Sequence, residues 1–190
     1  MPRKTRVRLD KKAVVQAAVN VLNTEGMQAL TLSRLAEKLG IQTPSLYNHV
    51  DGLTGLQQEL AVMNTKLLAD RLGEAAIGKS GAELFMDVAQ AFREHVKEYP
   101  GLYMSTLRSS ATQQVQNPNL MQEEERLMKI GLAVMSSLGL QGADAIHGLR
   151  AFRSMVHGFA TLEVAGGFGL PQDCDESFRK LVSALVAGLQ

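Results

Sequence analysis

The chain has 190 residues, 45% of them hydrophobic, with one cysteine, no tryptophan and a formal net charge of +1. That length suits one large domain or a small domain with a larger one, and that composition supplies a core. There is no run of eighteen apolar residues, no apolar secretory segment behind the basic N-terminus, and no second cysteine to pair with Cys174; the expectation is a cytoplasmic protein without membrane spans, disulfides or multi-cysteine metal sites.

Charge is unevenly placed. Residues 1–50 hold Arg3, Lys4, Arg6, Arg8, Lys11, Lys12, Arg34 and Lys38 against Asp10, Glu25 and Glu37, a balance of +5 that leaves −4 for the other 140 residues. A basic module joined to a mildly acidic body suits a nucleic-acid binder with a separate sensing or pairing domain. The plainer alternative is a solvated basic tail.

In chain order, residues 1–9 have no periodicity and read as an arm. Its Arg3, Lys4, Arg6 and Arg8 can lie along phosphates or enter a minor groove. A helix follows from Asp10 to about Glu25, with Ala13, Val14, Ala17, Ala18, Val21 and Leu22 as its apolar stripe and Gly26 as its stop. Thr31 to Val50 reads as two short helices around a tight turn. In the first, Leu32, Leu35, Ala36 and Leu39 share one face behind Thr31 as N-cap, and Gly40 stands where a left-handed stop belongs. After Gly40-Ile41-Gln42, Thr43 is expected to cap a second helix with Pro44 at its first position. A turn of three residues between two helices is the helix-turn-helix length. Leu46 faces inward, which leaves Gln42, Thr43, Ser45, Tyr47, Asn48 and His49 pointing out. Such a face of short polar side chains suits a major groove.

The segment Thr31-Leu32-Ser33-Arg34-Leu35-Ala36-Glu37-Lys38-Leu39-Gly40, followed by Pro44-Ser45-Leu46-Tyr47-Asn48-His49, resembles the DNA-binding domain of TetR-family transcriptional regulators over roughly the first quarter of the chain. The resemblance implies a three-helix reading head, a fourth helix connecting it to a body, and a homodimer held by a bundle of the last two helices. It also implies DNA-backbone contacts from Tyr47 and His49. Base-edge candidates are Gln42, Thr43 and Ser45; further backbone candidates are Thr31, Arg34, Thr54 and the arm. The family commonly carries a lysine near Gly55, and its absence here shifts anchoring onto Tyr47, His49 and the arm.

Beyond the head, helices are expected over about 53–76, 82–98, 102–111, 118–138, 143–165 and 175–189. Ser80 is the expected cap of the second of these, Pro100-Gly101 its terminator, and Thr112 to Asn119 a polar loop. No strand pattern or repeat is evident. The expected fold is all-α with about nine helices: a helix-turn-helix DNA-binding domain over 1–52 and a ligand-binding and dimerisation domain over 53–190.

In that body, thioethers and rings suit an adaptable apolar pocket, and serve equally well as core. The pocket candidates are Phe85, Phe92, Tyr103, Met104, Met128, Met135, Phe152 and Met155; the dimer-interface candidates are His157, Phe159, Phe178, Leu181 and Leu185. Met155 to Phe159 with Gly166-Gly167-Phe168 also resembles the body subclass named for a Trp-His-Gly motif, matching its His-Gly as His157-Gly158 but not its tryptophan. The histidines fall on separate helices without metal-ligand spacing, so neither metal nor cofactor is expected. No nucleophile elbow or phosphate loop is present. An acid–base pair of His157 and Glu163 is the enzymatic alternative, and nothing in the spacing requires it. The function expected is a DNA-binding regulator on a palindromic operator, a repressor released by a small apolar or amphipathic ligand. The alternative is a helix-turn-helix adaptor or activator without an inducer.

Overall fold

Helix α1 spans Lys11–Glu25 and begins where the Asp10 carboxylate accepts the Ala13 amide at 2.8 Å. Gly26 ends it at φ 83°, a conformation that side chains with a Cβ resist. These positions come from a computed structural model, which describes residues 9–112 and 117–189. The arm residues Arg3, Lys4, Arg6 and Arg8 lie outside the described residues, as do residues 113–116 of the expected loop.

Helix α2 spans Leu32–Leu39. Thr31 Oγ1 accepts the Arg34 amide at 3.1 Å, and Gly40 closes the helix at φ 66°, its N–H reaching the Ala36 and Glu37 carbonyls. The second helix of the pair, Thr43–Asn48, is a 3-10 helix rather than an α-helix. It is six residues long, and its bonds close one residue earlier than those of an α-helix, the tighter pattern used in short segments. Ser45 N donates to Gln42 O at 2.9 Å and His49 N to Leu46 O at 2.9 Å. Gln42 rather than Thr43 stands at its cap, and no side chain caps it.

The remaining helices are α3 (Gly52–Ala75), α4 (Gly81–Glu98), α5 (Pro100–Thr112), α6 (Pro118–Ser137), α7 (Gly142–Val164) and α8 (Cys174–Leu189). With the 3-10 helix these make nine helices among the described residues, besides one 3-10 turn at Met27–Ala29. Two sequence expectations are corrected here. Ser80 occupies the cap position of α4, but its hydroxyl makes no cap bond. Pro100-Gly101 does not only stop α4; it opens α5, where the missing proline N–H would have been unpaired in any case.

The helices fall into two compact units. The first takes residues 9–61 and 101–112. Its core is Val14, Ala18, Leu22, Leu35, Leu46, Leu56 and Leu102. The start of α5 docks on the end of α1: Asn23 Oδ1 accepts both the Gly101 amide (3.0 Å) and the Leu102 amide (3.1 Å). A Cβ at Gly101 would lie 2.0 Å from the Leu22 carbonyl oxygen, so only glycine permits this approach. The second unit takes residues 62–100 and 117–189. There α4 packs against α6, α7 and α8 around Phe85, Val88, Met135, Phe152, Val156 and Phe178.

Candidate nucleic-acid interface

The 3-10 helix turns Leu46 fully inward, and its neighbours divide accordingly. Tyr47 is 60% exposed, Gln42 and Asn48 are exposed, and Thr43, Ser45 and His49 are half-buried. Thr31 and Thr54, at the starts of α2 and α3, are exposed. The candidates expected to meet base edges, Gln42, Thr43 and Ser45, thus lie with Tyr47 and His49 in one stretch, held by a single buried leucine.

The electrostatics depart from the sequence expectation. Glu25, at the end of α1, gathers two cations of α2. Its Oε2 accepts from Arg34 Nε at 2.7 Å and its Oε1 pairs with Lys38 Nζ at 2.7 Å. Glu37 takes a second face of the same guanidinium, Arg34 Nη1 to Oε2, at 2.7 Å. The hydrogen bonds from Arg34 and then Lys38 hold the Glu25 carboxyl at a pKa of about 2, and those carboxylates in turn raise Arg34. Arg34, expected on the DNA backbone, is therefore already occupied by carboxylates. Lys11 pairs with Glu59. The helical period could have shown that Arg34 and Lys38, four residues apart, share one face of α2. It could not show that Glu25 faces them.

The body candidates separate into three groups. Phe85 and Phe152 meet edge-on at 5.1 Å between ring centres, and Phe92 joins Phe152 at 6.3 Å; Met135 is fully buried and Met155 half-buried in the same unit. Tyr103 and Met104 belong to the first unit, Tyr103 buried and Met104 exposed, while Met128 is exposed on α6. Of the interface candidates, Phe159 and Phe178 are buried within the chain, Leu181 is exposed, and His157 and Leu185 are half-buried.

What covers Phe159 and Phe178 is a residue that sequence reasoning missed. Arg93, 1% exposed, places its guanidinium 5.4 Å from the Phe159 ring centre and 4.9 Å from that of Phe178. It grips Glu163 with two bonds of 2.7 Å and reaches Asp175 at 2.8 Å. Lys97 adds a third bond to Glu163, at 2.7 Å. Arg93, and secondarily Lys97, hold the Glu163 carboxyl below the usual carboxylate range. The carboxylate is committed to this network, which leaves no acid–base role with His157. In the sequence Arg93 is one polar position among others on an amphipathic helix, and no local signal marks its burial.

A small cavity of about 40 Å³ lies in the first unit, lined by Met27, Leu30, Gln57, Leu60 and Ser105. Pockets for drug-sized ligands run to about 300–1,000 Å³, so this is packing space rather than a ligand site. No helix among the described residues is long and apolar enough to cross a membrane.

Fold and face together define a helix-turn-helix DNA-binding protein with a larger helical body. Residues 14–51 match the family described as "Bacterial regulatory proteins, tetR family", and residues 85–185 match "Tetracyclin repressor-like, C-terminal domain". The chain is 29% identical over 187 residues to YobS, an uncharacterized HTH-type transcriptional regulator of Bacillus subtilis, covering 97% of this chain and 94% of that protein. It is 30% identical over 183 residues to the uncharacterized HTH-type transcriptional regulator Rv0681 of Mycobacterium tuberculosis, covering 96% and 83%. Among solved structures, a TetR variant of Acinetobacter baumannii in complex with minocycline superposes with a TM-score of 0.68 at 26% identity, covering 95% of this chain and 96% of that one. The protein belongs to the TetR family of DNA-binding transcriptional regulators, a family of regulators rather than enzymes.

Proposed function

We propose that the protein is a cytoplasmic, homodimeric repressor that occupies a palindromic operator and leaves it when a small apolar or amphipathic molecule binds in the body. The observation that carries this reading is the outward polar face of Thr43–Asn48, set behind a capped α2 and joined to a separate helical body with its own ring cluster. Gln42, Thr43 and Ser45 read base edges; Thr31, Tyr47, His49, Thr54 and the Arg3–Arg8 arm meet phosphates. Residues 1–52 act as the reading domain and 53–190 sense and pair. Exposed Leu162 and Leu181, with half-buried His157 and Leu185 on α7 and α8, support pairing with a second copy. The minocycline complex of the Acinetobacter relative supports a small-molecule effector, for which Phe85, Phe92, Phe152 and Met155 are the lining offered.

Two heads must meet successive major grooves about 34–36 Å apart, or a multiple of that spacing. A ligand that binds better to another setting of α3 depletes the population that fits the operator. Gel-shift titration on a duplex containing a palindrome from upstream of the protein's own gene tests the reading. The expected result is tight, salt-sensitive binding in a dimer stoichiometry; binding no tighter than to random duplex overturns it. Tyr47→Phe should weaken binding to all sequences alike, whereas Thr43→Ala should change base preference.

A further inference from the structure

We infer that Glu25 is a positioning residue that withholds Arg34 and Lys38 from DNA phosphates, so that the folded helices of the head contribute little to charge-driven, salt-dependent attraction. The inference rests on the reading of the head as the DNA-binding surface.

The charge inventory motivates it. Of the eight basic residues in 1–50, Arg3, Lys4, Arg6 and Arg8 precede the described helices. Of the other four, three are held by carboxylates: Lys11 by Glu59, Arg34 by Glu25 and Glu37, and Lys38 by Glu25. Glu25 alone occupies two of them, one on each oxygen, at 2.7 Å. Neither cation is walled off, since the Arg34 side chain is 35% exposed and that of Lys38 is 44% exposed. A carboxylate and a phosphate offer a guanidinium or an ammonium the same chemistry, paired anionic oxygens at hydrogen-bond distance. Glu25 therefore acts as a resident competitor for the groups a phosphate would take. A cation neutralised inside the protein releases no counterion from DNA, because a phosphate must be neutralised for that release. Masked cations thus leave the charge-driven part of affinity to the arm and the remainder to neutral side chains at the groove, which favours discrimination over indiscriminate binding.

The test is the slope of log affinity against log salt for a fluorescent 30-base-pair duplex of random sequence, with the full chain. Each phosphate contact contributes about 0.9 to that slope. Lys38→Gln should leave the slope unchanged, because Lys38 is already withheld; a phosphate-bound lysine would flatten it by about 1 per head. Glu25→Gln releases Lys38 and should steepen the slope by about 1 per head, which is roughly a further fourfold loss of affinity between 50 and 200 mM salt for each head. Arg34 stays with Glu37 in that variant, so the pair Glu25→Gln with Glu37→Gln should steepen it by about 2 per head, whereas Glu37→Gln alone should do nothing. Adding Lys38→Gln to Glu25→Gln should restore the original slope. Against the palindromic duplex, Glu25→Gln should lower the ratio of operator to random affinity. A Lys38→Gln slope flattened by about 1 per head overturns the inference, as does an unchanged slope in Glu25→Gln that still melts cooperatively. If Glu25→Gln does not fold, the Lys38→Gln slope decides by itself. Absence of salt-sensitive binding by the original protein would instead overturn the reading of the head.

Discussion

The head and the body are each stabilised internally, by different means. The head is fixed at the ends of its helices, where single side chains satisfy amides: Asp10 for α1, Thr31 for α2, and Asn23 for the first amides of α5. The body is fixed in its interior, where Arg93 ties α4 to the end of α7 and the start of α8 beneath two rings, and His95 donates from Nε2 to Asn64 Oδ1 at 2.9 Å. A helix cap is worth about 1 kcal/mol, whereas breaking a buried ion pair from one side costs about 3–5 kcal/mol. The comparison teaches where each unit is vulnerable: the body through its few buried charges, the head through the close approaches and caps that set its geometry.

The largest expected effect is in the body. Arg93→Met should lower stability by about 3 kcal/mol, the low end for a broken buried pair because Glu163 keeps Lys97, and urea denaturation measures it. Arg93→Lys should fall between the variant and the original protein, since a lysine keeps the charge but not the two-pronged grip. An Arg93→Met loss no greater than a cap substitution would erase the contrast between the units.

Gly101→Ala comes next. Its Cβ would meet the Leu22 carbonyl at 2.0 Å, against backbone that cannot swing aside. Overpacking of this kind costs about 1–3 kcal/mol, and here the upper end is expected. Because the strain falls on α1 and α5, DNA binding in the gel shift should suffer more than in Arg93→Met. Equal loss of DNA binding in the two variants would show that the units do not fail separately.

The third effect is one of pH. Burial, reinforced by the charge of Arg71, lowers the pKa of His95 to about 4, from 6.5 in an open chain. Between those values the unfolded chain binds a proton that the folded one refuses. Stability is therefore level above about pH 7 and falls as the pH drops from 6.5 towards 4. The paired carboxylates, lowered below the ordinary carboxylate range of about 4.5, lose their contribution only below that range, so the upper part of the window belongs to His95. Melting temperatures across pH 7 to 4.5 should decline in the original protein and flatten in His95→Gln.

The smallest effect is Thr31→Ala, which should cost about 1 kcal/mol by urea denaturation through the lost acceptor at the start of α2. A value near that of Gly101→Ala would mean that Thr31 does more than cap.

Much of the head was legible because its signals are local. The Asp10 and Thr31 caps and the Gly40 stop each act within four residues of the backbone they satisfy, and the inward Leu46 is the lone large aliphatic residue of its short helix. What misled was a shared vocabulary: proline and glycine mark both a stop and a start, so Pro100-Gly101 read as a terminator when it is the first turn of α5. Similarly, Thr43 has the chemistry of a cap, but the short 3-10 segment begins one residue earlier. In the body, helical periodicity located the helices to within a few residues. It did not distinguish Phe159 and Phe178, which face Arg93, from Leu181, which faces outward, since all are simply apolar positions of amphipathic helices.

By itself, then, the sequence determined the all-α class, the helix-turn-helix and the outward face of Gln42 to His49, because caps, turns and period are fixed by neighbours a few residues apart. Only the tertiary structure decided which charges are spent. Arg93 finds Glu163 seventy residues on, Asn23 receives α5 from seventy-eight residues on, and Glu25 takes Arg34 and Lys38 across a turn. Partners at such separations meet only when packing brings helices together, and no local pattern in the chain records that meeting.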